Sequence, residues 1–169
     1  MNGDNDAAYR NLTRRPGFLI RRLHQIHLAL FYQECGTFGV TPVQYSIMTA
    51  IDRHPRLDQA SLGEQVGIDR ATIADVLTRL ENRGLVSRRR SAADARMKLV
   101  SLTAAGRRLL TRIDPHAQQA HQRTVAALPP EARAAFIAAL TRLVAEAPIA
   151  GFNGDGADAR HRPRTKQRR

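Results

Sequence analysis

The chain has 169 residues, 43% apolar and 25% charged, which predicts one soluble globular domain with a buried core and leaves no long disordered majority. A net charge of +12 favours a polyanionic partner, either nucleic acid or an anionic surface. One cysteine, Cys35, excludes an intrachain disulfide, and no apolar run nears the ~20 residues of a transmembrane helix. Met1–Asp4 lacks the basic start and apolar stretch of a secretory signal, so the expectation is a cytoplasmic protein without membrane association.

Residues 1–13 are polar and unpatterned and read as a mobile arm. Pro16 suits a first helical turn, and a helix is predicted from there to about Cys35. Leu19, Leu23, Ile26 and Leu30 form one apolar stripe on it, and Ile20, His24, His27 and Phe31 form a second. Two apolar faces predict burial between two partners, in a dimer or around a pocket. Thr41 reads as the N-cap and Pro42 as the first residue of a second helix, which ends near His54-Pro55. Leu57–Gln59 reads as a short strand or a lead-in, with Asp58 capping Ala60–Val66 and Gly67 stopping it. Asp69 caps a further helix that turns Ile73, Val76, Leu77 and Leu80 inward, and Gly84 takes the left-handed position after it. Two strands, about 85–90 and 97–102, follow with a charged loop between them. Thr103 caps a long helix in which Pro115 predicts a kink or restart. Pro129-Pro130 interrupt the chain before a last amphipathic helix over Glu131–Ala147, and residues 148–169 read as a disordered basic tail.

The order helix, turn, helix and basic hairpin over Asp58–Thr103 is a device for reading duplex DNA. Arg70, Ala71, Thr72, Ala74 and Asp75 lie on the first turns of the reading helix, where short side chains reach base edges. Arg70 suits a guanine, and Thr72 suits a phosphate or a thymine methyl. Asp75 suits a cytosine amine, or it fixes Arg79 one turn on. Arg83, Arg88, Arg89, Arg90, Arg96 and Lys98 stand against Asp94 alone over residues 83–98. Arg96 at the wing tip fits a narrow A·T minor groove, and Asp94 pairs with a neighbouring arginine. Arg88, Arg90 and Lys98 are candidates for phosphate contact. Strand alternation forbids Arg88, Arg89 and Arg90 from all facing the duplex, and a solvated edge is the plainer reading of the three.

Catalysis finds no support in the residues. There is no Gly-x-Ser-x-Gly, His-Glu-x-x-His, phosphate loop or dinucleotide fingerprint. His116 and His121 are five apart and do not share a helical face, so no metal site is expected. A non-specific basic nucleic-acid-binding or membrane-surface protein is the rival class. Aromatics are only 5%, and the best basic cluster is a hairpin rather than an amphipathic helix.

Four strings together carry a family likeness. They are Leu62-Gly63-Glu64-Gln65-Val66-Gly67-Ile68-Asp69-Arg70-Ala71-Thr72, Leu80-Glu81-Asn82-Arg83-Gly84-Leu85-Val86, Asp94-Ala95-Arg96-Met97-Lys98-Leu99-Val100 and Leu102-Thr103-Ala104-Ala105-Gly106. The chain resembles the MarR family of bacterial transcriptional regulators over about residues 16–147. That resemblance implies a mainly α fold with a small β-wing. It places a winged helix-turn-helix at about 41–102 and dimerisation helices at about 14–36 and 103–147, within one domain over 14–147. It further implies a homodimer, a palindromic operator, no cofactor and often a small aromatic or phenolic ligand that releases the DNA. Arg15–Arg22 and Thr41–Tyr45 resemble repressors of aromatic-acid catabolism, the nicotinate type above all.

His24 and His27 lie on an apolar stripe, where a histidine is more often a hydrogen-bonded core residue than a ligand contact. With the family's effectors expected near this helix, the alternative is a pocket for an aromatic acid lined by His24, His27, Phe31 and Tyr45. Arg21 or Arg22 would anchor the carboxylate. Cys35 reads as a structural thiol; the other reading, a redox-sensing regulator, needs an exposed thiol of lowered pKa.

Overall fold

The computed structural model describes residues 11–55, 57–90 and 98–146. Asp94, Arg96, most of the N-terminal arm and the basic tail lie outside the described residues. The chain order is α1 (Pro16–Cys35), α2 (Pro42–Arg53), α3 (Gln59–Val66), α4 (Arg70–Asn82), β1 (Val86–Arg90), β2 (Lys98–Leu102), α5 (Ala104–Thr124) and α6 (Pro130–Ala145). The mainly helical, winged fold expected from the sequence is the fold observed. The described chain forms two compact units, one running to Tyr45 and resuming over Arg108–Glu146, the other over Ser46–Arg107.

Local chemistry sets most boundaries. Thr41 and Gln44 form a reciprocal cap: the Gln44 amide donates to Thr41 Oγ1 (3.2 Å) and the Thr41 amide to Gln44 Oε1 (3.1 Å). Asp58 accepts from the amides of Ala60 and Ser61, and Asp69 from those of Ala71 and Thr72. Gly67 and Gly84 both adopt φ near +67°, the left-handed turn that closes α3 and follows α4.

In the Ser46–Arg107 unit, Ile47, Met48, Leu62, Ile73, Leu77, Leu80 and Val100 are fully enclosed. Val76, expected inward, is only half-buried, because the buried face of α4 follows the 73, 77, 80 spacing and Val76 sits at its margin. The wing is one antiparallel pair in the register Val86↔Leu102 through Arg90↔Lys98. Of the two readings of Leu57–Gln59 the lead-in holds: Asp58 caps α3 and meets the wing only through a single isolated bridge to Leu99. The Val100 amide donates to the Leu57 carbonyl at 3.0 Å and anchors the wing at its base.

In the other unit, one of the two readings of Pro115, a restart of the helix, needs correction. Helix α5 neither stops nor restarts at Pro115. Pro115 is solvent-exposed, so water is at hand for the neighbouring backbone. Within one chain, only Phe31 and Cys35 of α1 are fully enclosed. Leu19, Ile20 and Ile26 are about half exposed, as are Ile137 and, more so, Leu143 and Val144 on α6. Among the described residues, no helix is long and apolar enough to cross a membrane.

Candidate functional site

Helix α4 begins at Arg70, directly after its Asp69 cap. The hydroxyl of Thr72, then its amide, hold the Asp69 carboxyl below the usual carboxylate range, so the cap stays ionised at neutral pH. Arg70, Ala71, Thr72 and Asp75 are exposed around this helix start, and Ala74 is half-buried. The helix N-terminus adds a positive dipole end to that surface.

The structure sorts the candidate cations into two groups. The side chains of Arg70 and Arg90 are exposed and make no hydrogen bond or ion pair to any described residue. Lys98 is exposed opposite Arg90 in the register. Arg79 instead bonds Asp75 at 2.7 Å, both side chains remaining more than half exposed. A pair so exposed contributes little to stability and is easily exchanged for another partner.

Arg88 turns inward, onto α4. Its Nε donates to Glu81 Oε2 at 2.8 Å, its Nη2 to the same oxygen at 2.5 Å, and its backbone amide to Glu81 Oε1 at 3.2 Å. Nη2 also donates to Thr78 Oγ1 at 3.2 Å, and the Thr78 hydroxyl donates to the Ala74 carbonyl at 2.9 Å. The Arg88 side chain, then its amide, hold the Glu81 carboxyl below its ordinary range. Sequence reasoning missed Glu81, although a carboxylate seven residues before an arginine, across a tight helix-to-strand turn, is a usable local signal.

In the helical unit, His27, Phe31 and Tyr45 come together. The His27 and Phe31 rings lie 6.4 Å apart and the Phe31 and Tyr45 rings 5.7 Å apart. Phe31 and Tyr45 are buried, His27 half-buried and His24 exposed. The Tyr45 phenol donates to Asp114 Oδ1 at 2.8 Å. Arg22 bonds Gln25 at 3.0 Å, and Arg21 lies 5.6 Å over the Phe18 ring, so neither guanidinium joins the cluster. A cavity of about 310 Å³ opens nearby among Leu23, His121, Thr124, Phe136, Ile137 and Leu140, and none of the six proposed ligand residues lines it.

His27 stacks on His121 at 5.0 Å and 15°, and its Nδ1 lies 2.9 Å from Thr124 Oγ1. Because the Thr124 hydroxyl donates to the Ala120 carbonyl at 2.8 Å, its oxygen is left to accept, which puts the proton on His27 Nδ1. His121 and Thr124 were not foreseen. They lie nearly a hundred residues away in the chain, and no local pattern reports such a pair.

Burial, then the neighbouring His121 and His24, lower the pKa of His27 from 6.5. The unfolded chain therefore takes up the proton first as pH falls. Stability from this site is complete above about pH 6.5 and is lost as pH drops below it. The urea midpoint is expected to fall between pH 7.5 and 5.5, and His27→Gln should flatten that slope. An equal slope in the variant would place the effect elsewhere.

Cys35 is fully buried, and burial followed by the adjacent Glu34 raises its pKa. Oxidant sensing asks for the opposite, an exposed thiolate. No group of three or more His, Cys, Asp or Glu side chains among the described residues suits a metal ion.

A capped helix start bearing a free arginine, beside a two-stranded basic wing, defines a winged helix-turn-helix protein of the DNA-reading kind. A model of the MarR family matches residues 40–98. The transcriptional regulator HosA of Escherichia coli O157:H7 is 34% identical over 125 residues, covering 74% of this chain and 91% of HosA. The repressor NicR of Pseudomonas putida is 30% identical over 134 residues, covering 79% of this chain and 85% of NicR. Among solved structures, BpsR of Bordetella bronchiseptica, whose DNA binding is regulated by 6-hydroxynicotinic acid, matches with a TM-score of 0.76 and 30% identity, covering 79% of this chain and 96% of BpsR. The chain belongs to the MarR family: it is a transcriptional regulator, with the fold and relatives of regulators rather than of enzymes.

Proposed function

We propose that the protein is a cytoplasmic homodimeric repressor that holds a palindromic operator and releases it when a small aromatic acid binds. The observation that carries the DNA part is the free Arg70 at the capped start of α4, with Arg90 and Lys98 exposed across the wing. In this reading Arg70, Ala71, Thr72, Ala74 and Asp75 face the major groove. Arg79, Arg90 and Lys98 meet phosphates, and Arg96 enters the minor groove. Dimerisation would cover the exposed apolar residues of α1 and α6, Leu19, Ile20, Ile26, Ile137, Leu143 and Val144. Two copies would then present their reading helices about 34 Å apart, one helical turn of DNA.

The effector is a hydroxylated nicotinate or a related aromatic acid, by analogy with the ligand of BpsR and the relation to NicR. His27, Phe31 and Tyr45 supply its aromatic wall, His24 lies one turn away, and Arg21 or Arg22 swings to its carboxylate.

Gel shifts on a duplex selected from a random library test the reading. The selected sequence should be palindromic and bind at least tenfold more tightly than its scrambled counterpart. Between 50 and 200 mM salt, six or more phosphate contacts predict a loss of roughly a thousandfold. Addition of 6-hydroxynicotinate or hydroxybenzoates should release the DNA from the wild type but not from the His24→Ala, His27→Ala double variant. Equal binding to scrambled DNA would make the protein a non-specific binder instead. Release that survives both histidine changes would move the effector elsewhere.

A further inference from the structure

The Glu81–Arg88 clasp joins the last turn of the reading helix to the first strand of the wing. It places three donor contacts on one carboxylate and a fourth on Thr78, whose hydroxyl in turn holds the Ala74 carbonyl. The chain of bonds thus runs from the wing to Ala74, itself one of the reading positions. The Arg88 side chain is only 21% exposed, in contrast to its neighbours Arg89 and Arg90, and two of its nitrogens already share one carboxylate oxygen.

Resting on the DNA-reading function, we propose that Arg88 and Glu81 are positioning residues that set the angle between wing and reading helix, and that Arg88 is not a phosphate ligand. The pair makes reading helix and wing one rigid body, so that both enter their grooves in register. Its partner atoms come from consecutive elements, α4 and β1, and add a side-chain tie to the backbone bonds of the short turn between them.

The two roles predict opposite signs. Removing a negative charge beside DNA by itself favours binding. If Arg88 bound phosphate, Glu81→Gln would also free its guanidinium, and affinity would rise. If the clasp positions the wing, Glu81→Gln lowers affinity in spite of the charge gained, by about tenfold, the scale of one charged hydrogen-bonded contact.

The experiment measures binding of wild type, Glu81→Gln, Arg88→Gln, the double variant and the swap Glu81→Arg/Arg88→Glu to the selected duplex across a salt series. Circular dichroism and melting confirm that each is folded. The expected result is a similar loss in both single variants, no further loss in the double, a salt slope unchanged, and partial recovery in the swap. An affinity that rises in Glu81→Gln, or a slope that falls by about one in Arg88→Gln, overturns the proposal and makes Arg88 a phosphate ligand. Lowered melting with unchanged DNA affinity also overturns it, leaving a structural pair. A wild type that enriches no duplex overturns the DNA-reading function itself and the proposal with it.

Discussion

Gly106→Ala is expected to destabilise the reading unit strongly. Gly106 is buried in the first turn of α5, and a Cβ there would overlap the Leu85 carbonyl oxygen and crowd Leu102 Cδ2 at 3.4 Å. The obstacle is backbone, and it is held from several sides. The Leu85 carbonyl accepts from the Thr103 amide at 3.0 Å and from Thr103 Oγ1 at 3.2 Å, and the Leu85 amide donates to the Leu80 carbonyl at 3.0 Å. Moving Leu85 aside therefore breaks the cap of α5 and the turn after α4 together. Overpacking against fixed backbone of this kind costs about 3 kcal/mol or more. In a unit of this size that is a fall of at least roughly 12 °C in melting temperature. A variant melting within a few degrees of wild type would show that the two elements separate easily.

The second large effect is on DNA. In the proposed complex, Arg70→Ala should weaken binding to the selected duplex by about tenfold to a hundredfold and relax the preference for guanine at one position of each half-site. Folding should be untouched, because the Arg70 side chain is exposed, bonds to no described residue, and follows an Asp69 cap that the change leaves in place. Arg90→Ala is the contrasting control. It should weaken all sequences alike and lower the salt slope by about one. If Arg70→Ala left both affinity and base preference as they were, the reading surface would lie elsewhere on the unit.

What the sequence made legible was local. Asp58, Asp69 and Thr41 announce helix starts because each side chain bonds amides two or three residues on. Gly67 and Gly84 announce stops because their backbone is left-handed. The family strings then supplied the order of elements. What stayed hidden depended on distant partners. Which wing arginine folds back onto α4 is decided by Glu81 and Thr78, and spacing alone treated Arg88 and Arg90 alike. His27 and Tyr45 find Thr124, His121 and Asp114 across 69 to 97 residues of chain. The arginines meant for a carboxylate, Arg21 and Arg22, are instead taken up by near neighbours, Phe18 and Gln25. Half-exposed Leu19, Ile20 and Ile26 were indistinguishable from core by periodicity, which reports an apolar face and not what covers it.

The enclosed thiol of Cys35 has a practical side. As the chain's only cysteine, fully shielded and with its thiolate disfavoured, it should stay silent toward alkylating dyes and spin labels in the folded protein. A cysteine introduced at exposed Arg89 would then be the single reactive handle on the molecule. Wing motion on a duplex becomes readable by fluorescence or electron spin resonance in an otherwise native background, with no cysteine-free parent to build first.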